Sequence, residues 1–193
     1  MCRSGDYLDR VGDAELLQRA RRGDESAFSQ LFTRYEGAVY RYATYMCGRD
    51  KADDIVQETF LAILQQHERD DPPKGAVAAY LIGIARHRIF KRAAREGRAE
   101  ADNGEELLKA CADTGHDTPL ETVRRAERIA HVRAAVQSLP PVFREAIVLC
   151  ELHEMDYAAA AAVVGCPVGT IRSRLHRGRS LLAAKLHGLR YDS

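Results

Sequence analysis

YAAAAAVVGCPVGTIRSRLHRGRSLL, Tyr157 to Leu182, holds two helical segments and the break between them. Asp156 can cap the first by accepting from its free N–H groups, and Ala158 to Ala162 give that helix so little bulk that another can approach it closely. Gly165-Cys166-Pro167 ends it: Gly supplies a left-handed C-terminal residue, and Pro suits the start of a new helix. Ile171, Leu175, Gly178 and Leu182 then recur at i, i+4, i+7 and i+11, an inward stripe. The opposite face carries Gly169, Thr170, Arg172, Ser173, Arg174, His176, Arg177 and Ser180, short, polar and cationic. These properties suit a major groove, where Arg bonds guanine and phosphate and small residues permit close approach. The segment reads as a helix-turn-helix, against the plainer alternative of an amphipathic surface helix.

Working outward, the preceding apolar positions fit helices over Leu120 to Ser138 and Val142 to Leu152, separated by Leu139-Pro140-Pro141. In these, Val123, Ile129, Val132, Ala135 and Val136, then Phe143, Ala146, Ile147, Val148 and Leu149, are expected inside. Upstream, residues 98–119 lack helical periodicity and carry Asn103-Gly104, Thr114-Gly115 and Thr118-Pro119, marks of a flexible linker. Helices are expected over Asp13 to Arg22, Ala27 to Cys47, Ala52 to Gln66 and Ala76 to Arg95. Phe28, Leu31, Phe32, Tyr35, Val39, Tyr42 and Met46 face inward on the second, and Ile55, Val56, Phe60, Leu61 and Leu64 on the third. His67 to Gly75 is a loop, because Asp71 precedes two prolines. No long stretch alternates with period two. The chain is therefore all-α: two small helical domains, residues 1–97 and 120–193, joined by the linker at 98–119.

The net charge of +1 over 193 residues conceals segregation. Ala76 to Arg98 holds six Lys/Arg and one acid, whereas Glu100 to Glu121 holds seven acids and one Lys. Two basic patches separated by an acidic segment can hold nucleic acid at two places without making the protein basic overall. On the fourth helix Arg88, Lys91, Arg92 and Arg95 form a ridge with His87 beside it, a phosphate-binding pattern. Tyr80, near the start of that helix, is placed to stack on an unpaired base or to fill the core. Asp53, Asp54, Gln57 and Glu58 form an acidic patch, explained either by the helix dipole or by a basic partner.

Five scattered cysteines argue against a disulfide framework. Cys150-x-x-His153 lacks a second pair of ligands, so neither metal nor cofactor is expected, and no catalytic constellation is present. No apolar run could span a bilayer and Met1 to Arg10 has no signal-peptide core, so a cytoplasmic location is expected.

Gly23-Asp24-Glu25-Ser26-Ala27-Phe28, Ala52 to Phe60 (ADDIVQETF), Tyr80 to His87 (YLIGIARH), Leu139 to Glu145 (LPPVFRE) and Pro167 to Gly178 (PVGTIRSRLHRG) occur in family order. Together they resemble the extracytoplasmic-function sigma factors of bacterial RNA polymerase. The resemblance implies a non-enzymatic, promoter-specificity subunit with core polymerase and promoter DNA as partners and no small-molecule substrate. It assigns Asp53, Asp54, Gln57, Glu58 and Phe60 to polymerase binding. Minus-10 recognition and melting falls to Lys74, Tyr80, His87, Arg88, Lys91, Arg92 and Arg95, and minus-35 recognition to Gly169, Thr170, Arg172, Ser173, His176 and Arg177. The linker would thread the polymerase. The family often has Trp at Tyr80, Asn at His87 and Asp at Lys91. It further implies an anti-sigma factor, in many cases membrane-bound, that would hold the chain at the inner face of the membrane. The competing reading is a stand-alone helix-turn-helix regulator, which would normally dimerise to meet two half-sites.

Overall fold

The computed structural model describes residues 12–65, 77–100 and 129–188, with side chains to Glu96 in the middle segment. Among these residues there is no strand. Lys74, the 67–75 loop, Val123 and residues 101–119 of the linker expected at 98–119 lie outside them.

Among the described residues four helices make the N-terminal body: α1 (Asp13–Arg21), α2 (Glu25–Cys47), α3 (Arg49–Gln65) and α4 (Val77–Glu100). α1 opens with Asp13 and Glu15 and closes with Arg19 and Arg21, charges that complement its dipole. Asp24 caps α2 by accepting from the Ala27 N–H at 3.0 Å, and its second oxygen takes Arg19 Nη2 at 2.7 Å. These contacts lower the Asp24 pKa, the backbone hydrogen bond first and Arg19 next. α4 extends to Glu100, past the Arg95 expected, so its helix enters the stretch assigned to the linker.

The C-terminal body begins with α5 (residues 129–137) and α6 (Pro141–Ile147), which runs into a π turn at Val148–Leu152. His153 N donates to Val148 O at 3.0 Å, closing the wider ring. The sequence pattern predicts continuous helix to Leu152, because a π turn preserves the apolar run while adding a residue to the turn. Then come α7 (Tyr157–Val164) and α8 (Val168–Gly188). Asp156 caps α7 through Ala159 N at 2.8 Å, and Gly165 takes the left-handed conformation at φ 73°. This is the helix-turn-helix expected.

Leu16, Leu17, Leu31, Tyr42, Ile55, Ile63 and Leu81 are fully buried in one body, and Leu139, Ile147, Leu149 and Ile171 in the other. The two sets belong to one contiguous cluster. The bodies, expected to sit loosely on a tether, touch directly: α7 lies on α4, and α2 meets α6 and the π turn. The alanines of α7 make that approach possible, with Ala160 and Ala161 buried. Four residues expected inside are not. Leu61 (53% exposed) and Leu64 (44%) continue the outer face of α3, and Ile129 (46%) and Val132 (39%) lie outside on α5. In each case the apolar stripe is wider than the surface its helix buries.

Candidate nucleic-acid interface

α8 presents Gly169, Arg172, Ser173, His176 and Arg177 to solvent, with Thr170 half-buried. What aims them outward is the opposite side of the helix, where Ile171 and Leu175 are buried. At Gly178 the backbones of α6 and α8 come so close that an added Cβ would meet Ile147 Cγ1 at 3.0 Å and the Phe143 carbonyl at 3.2 Å. Arg172 lies over the Tyr157 ring, 5.7 Å from its centroid, a cation–π contact that orients the guanidinium before any ligand arrives. Arg179, one residue after the close-packed glycine, pairs with Glu151 and so ties α8 to the π turn. Tyr157 and Glu151 have no signature in the sequence beyond their types. Only the chain's return brings them to α8.

On α4, His87, Lys91 and Arg95 are exposed, and Arg88 and Arg92 half-buried. The ridge expected from the sequence exists, but it faces the acidic patch. Arg92 Nη1 donates to Asp54 Oδ2 at 2.9 Å and its Nε to Glu96 Oε1 at 3.3 Å, while Lys51 Nζ meets Glu96 at 2.5 Å. The Lys51 hydrogen bond, reinforced by Arg92, holds the Glu96 carboxyl below the usual range. Arg88, Lys91, Arg92 and Arg95 line a cleft of about 250 Å³ with Glu58. Four cations facing one carboxylate leave a positive excess there, suited to an anion such as phosphate. Tyr80 is less open than its place in the sequence suggests. Its hydroxyl accepts from Arg21 Nη2 at 2.7 Å, and the Arg21 guanidinium stands 5.5 Å over the ring. The ring therefore sits half-buried between α1 and α4.

Asp53, Asp54, Gln57 and Glu58 are exposed on α3, and Leu61 and Leu64 extend the same face with apolar surface. Phe60, grouped with them on resemblance, is 2% exposed. It packs edge-on to Phe28 at 6.2 Å and against Phe32 at 4.8 Å, because its register on α3 turns it into the core. Phe60 supports the patch from beneath and offers a partner no surface.

Cys150 lies within the π turn and His153 directly follows it. Burial pushes the Cys150 thiol up. His153 lies edge-on to Tyr42, ring centroids 6.2 Å apart, with Nε2 buried and unbonded among the described residues. Burial first and the Arg41 charge second lower its pKa to about 4.

Residues 31–99 match the Sigma-70 region 2 family and residues 130–182 the Sigma-70 region 4 family. The ECF RNA polymerase sigma-E factor of Haemophilus influenzae is 30% identical over 189 residues, covering 94% of this chain and 98% of that one. The chain belongs to the ECF RNA polymerase sigma factors. It is an alternative sigma factor, a member of a family of transcription initiation factors, and the stand-alone regulator reading gives way. SigE of Mycolicibacterium smegmatis is 32% identical over 166 residues, 83% of this chain and 63% of that longer sigma factor. Two solved structures share the fold. The sigma factor RpoE with the anti-sigma factor NepR, from Bartonella quintana, matches with a TM-score of 0.68 at 25% identity, covering 83% of this chain and 96% of that one. CnrH with the cytosolic domain of CnrY matches with a TM-score of 0.65 at 25% identity, covering 92% and 99%. Region 2 corresponds to α2 through α4 and region 4 to α5 through α8. Among the described residues no helix is long and apolar enough to cross a membrane.

Proposed function

We propose that this chain binds core RNA polymerase through the α3 face of Asp53, Asp54, Gln57 and Glu58 and directs it to promoters with two elements. The α4 ridge of His87, Arg88, Lys91, Arg92 and Arg95, with Tyr80 and Lys74, takes the minus-10 element. The α8 face of Gly169, Thr170, Arg172, Ser173, His176 and Arg177 reads the minus-35 element. The observation that carries this reading is the pairing of an exposed cationic recognition helix in region 4 with an exposed acidic helix in region 2. No catalytic step is required of the chain. Stacking of unpaired bases, roughly 1–3 kcal/mol each, would offset part of the cost of opening the duplex. An anti-sigma factor, anchored in the membrane and holding the chain at its inner face, completes the proposal. It is supported by the two solved relatives, one bound to the anti-sigma factor NepR and the other to the cytosolic domain of CnrY.

Transcription from fragmented genomic DNA by core polymerase, with and without the chain, tests it. Transcripts should start at a fixed distance from a shared two-part motif and vanish without the chain. Asp54→Lys with Glu58→Lys should abolish co-elution with polymerase. Arg172→Glu with Arg177→Glu should spare co-elution and weaken upstream promoter use. Identical behaviour of the two pairs would refute this division of labour.

A further inference from the structure

Two of the arginines on α8 converge on one ring. Tyr157, the first residue of α7, is 37% exposed and lies against the flank of α8. Arg172 stands over its face, 5.7 Å from the centroid. Arg179, two turns further along the same flank, reaches its hydroxyl. Arg179 is in turn held by Glu151 of the π turn, whose Oε1 accepts from its Nε at 3.0 Å and also from its Nη2. The ring is thus fixed at its hydroxyl end by a salt-bridged arginine and presents its face to a second one. Arg177, by contrast, has neither an ion pair nor a ring contact among the described residues.

An arginine on an open helix face samples many rotamers, and gripping a base edge freezes them. A ring beneath the guanidinium restricts that freedom beforehand, so less is lost on binding. Stacking occupies the face of the guanidinium and leaves its N–H edge free to donate. The restraint matters most for a bidentate contact, whose two parallel bonds tolerate little misorientation. A phosphate contact positions the protein without reading sequence and gains little from it. Arg172 is the fifth residue of α8, within the N-terminal turns that meet base edges in a helix-turn-helix. Its neighbours one turn away on α8, Val168, Gly169, Leu175 and His176, include no carboxylate to draw it aside.

We propose that Tyr157 is a positioning residue for base readout: its ring holds the Arg172 guanidinium by the face, so that the free edge reads a guanine in the upstream promoter element, while Arg179 and Glu151 hold the ring. This role rests on the reading of α8 as the minus-35 helix. Guanine is the base whose O6 and N7 accept both ends of that edge. Tyr157 itself touches no base; it acts through Arg172.

Two measurements on the full chain decide. In the first, core polymerase with each variant transcribes a promoter library randomised across the upstream element, and transcripts are counted by base. Wild type should prefer guanine at one position, and Arg172→Ala should abolish that preference. Tyr157→Leu, checked for wild-type helix content by circular dichroism, should reduce it about two- to fivefold, the factor expected of an exposed cation–π contact, and leave the other positions unchanged. Tyr157→Phe, which keeps the ring, should keep the preference. A loss in Tyr157→Leu that is equal for every sequence, with a smaller salt dependence, would make Tyr157 a phosphate contact and overturn its positioning role. An undiminished preference in Tyr157→Leu, a Tyr157→Phe variant as impaired as Tyr157→Leu, or a wild type with no guanine preference that depends on Arg172 would overturn it too. In the second measurement, the Arg172 Nε–Hε signal in the NMR spectrum of the free chain should be ring-shifted in wild type and Tyr157→Phe and return to the ordinary position in Tyr157→Leu. An unshifted wild-type signal would overturn the positioning without reference to polymerase. Absence of transcripts with wild type would instead refute the sigma-factor reading, and the ring shift would still decide whether Tyr157 holds Arg172.

Discussion

Acidification from pH 7 to pH 5 should weaken this protein through a single imidazole. His153 follows the π turn and is enclosed against the Tyr42 ring, with Nε2 buried and no hydrogen-bond partner among the described residues. Desolvation, with a further push from Arg41, lowers its pKa from 6.5 to about 4. Between those values the unfolded chain takes up a proton that the folded chain refuses. Stability is therefore full above about pH 6.5, declines as the pH falls, and stops declining below about pH 4. At 1.36 kcal/mol per pKa unit the whole loss is roughly 3 kcal/mol, of which about 2 kcal/mol has gone by pH 5. Urea unfolding of wild type and His153→Leu across pH 4 to 8 isolates the effect, since other titrating groups are shared. The wild-type stability should fall relative to the variant by about that amount. Parallel pH profiles, or an imidazole that titrates near 6.5 by NMR in the intact chain, would refute the reasoning.

Gly178→Ala should destabilise the C-terminal body by about 1–3 kcal/mol in thermal unfolding, because its Cβ would stand 3.0 Å from Ile147 Cγ1 and 3.2 Å from the Phe143 carbonyl. Asp156→Ala removes the acceptor for Ala159 N and should cost about 1 kcal/mol in the same assay, whereas Asp156→Asn should restore most of it.

The helices and the helix-turn-helix were legible because their signals are local. Asp24 and Asp156 cap, Gly165 turns left-handed, and Ile171 and Leu175 repeat on one face. The outer faces of α3 and α8 were legible for the same reason. What was hidden depends on chain segments far apart in sequence. Nothing in Phe143-Arg144-Glu145 distinguishes a carboxylate destined for burial from one on a surface turn. Its partners, Tyr42 and Arg86, stand 103 and 59 positions away. The Asp54–Arg92 pair and the Arg21–Tyr80 stack were equally silent, so two patches read separately turned out to share one cleft. Phe60 was misplaced by assigning a motif's role to all its members, although its spacing from Ile55 and Val56 already turned it inward. Leu61, Leu64, Ile129 and Val132 were misread because an apolar residue signals preference for burial, not the presence of a neighbour to provide it.

The alanine run of α7 bears on how the two bodies meet. Helices with long side chains mesh like gear teeth, and parting them means withdrawing each ridge from its groove. Ala160 and Ala161 give α4 a nearly smooth bearing instead, with little apolar area lost when it lifts away. A bearing guides two parts without gripping them. The polar bonds around Glu145 add direction to the contact between the bodies, because they form in one register only.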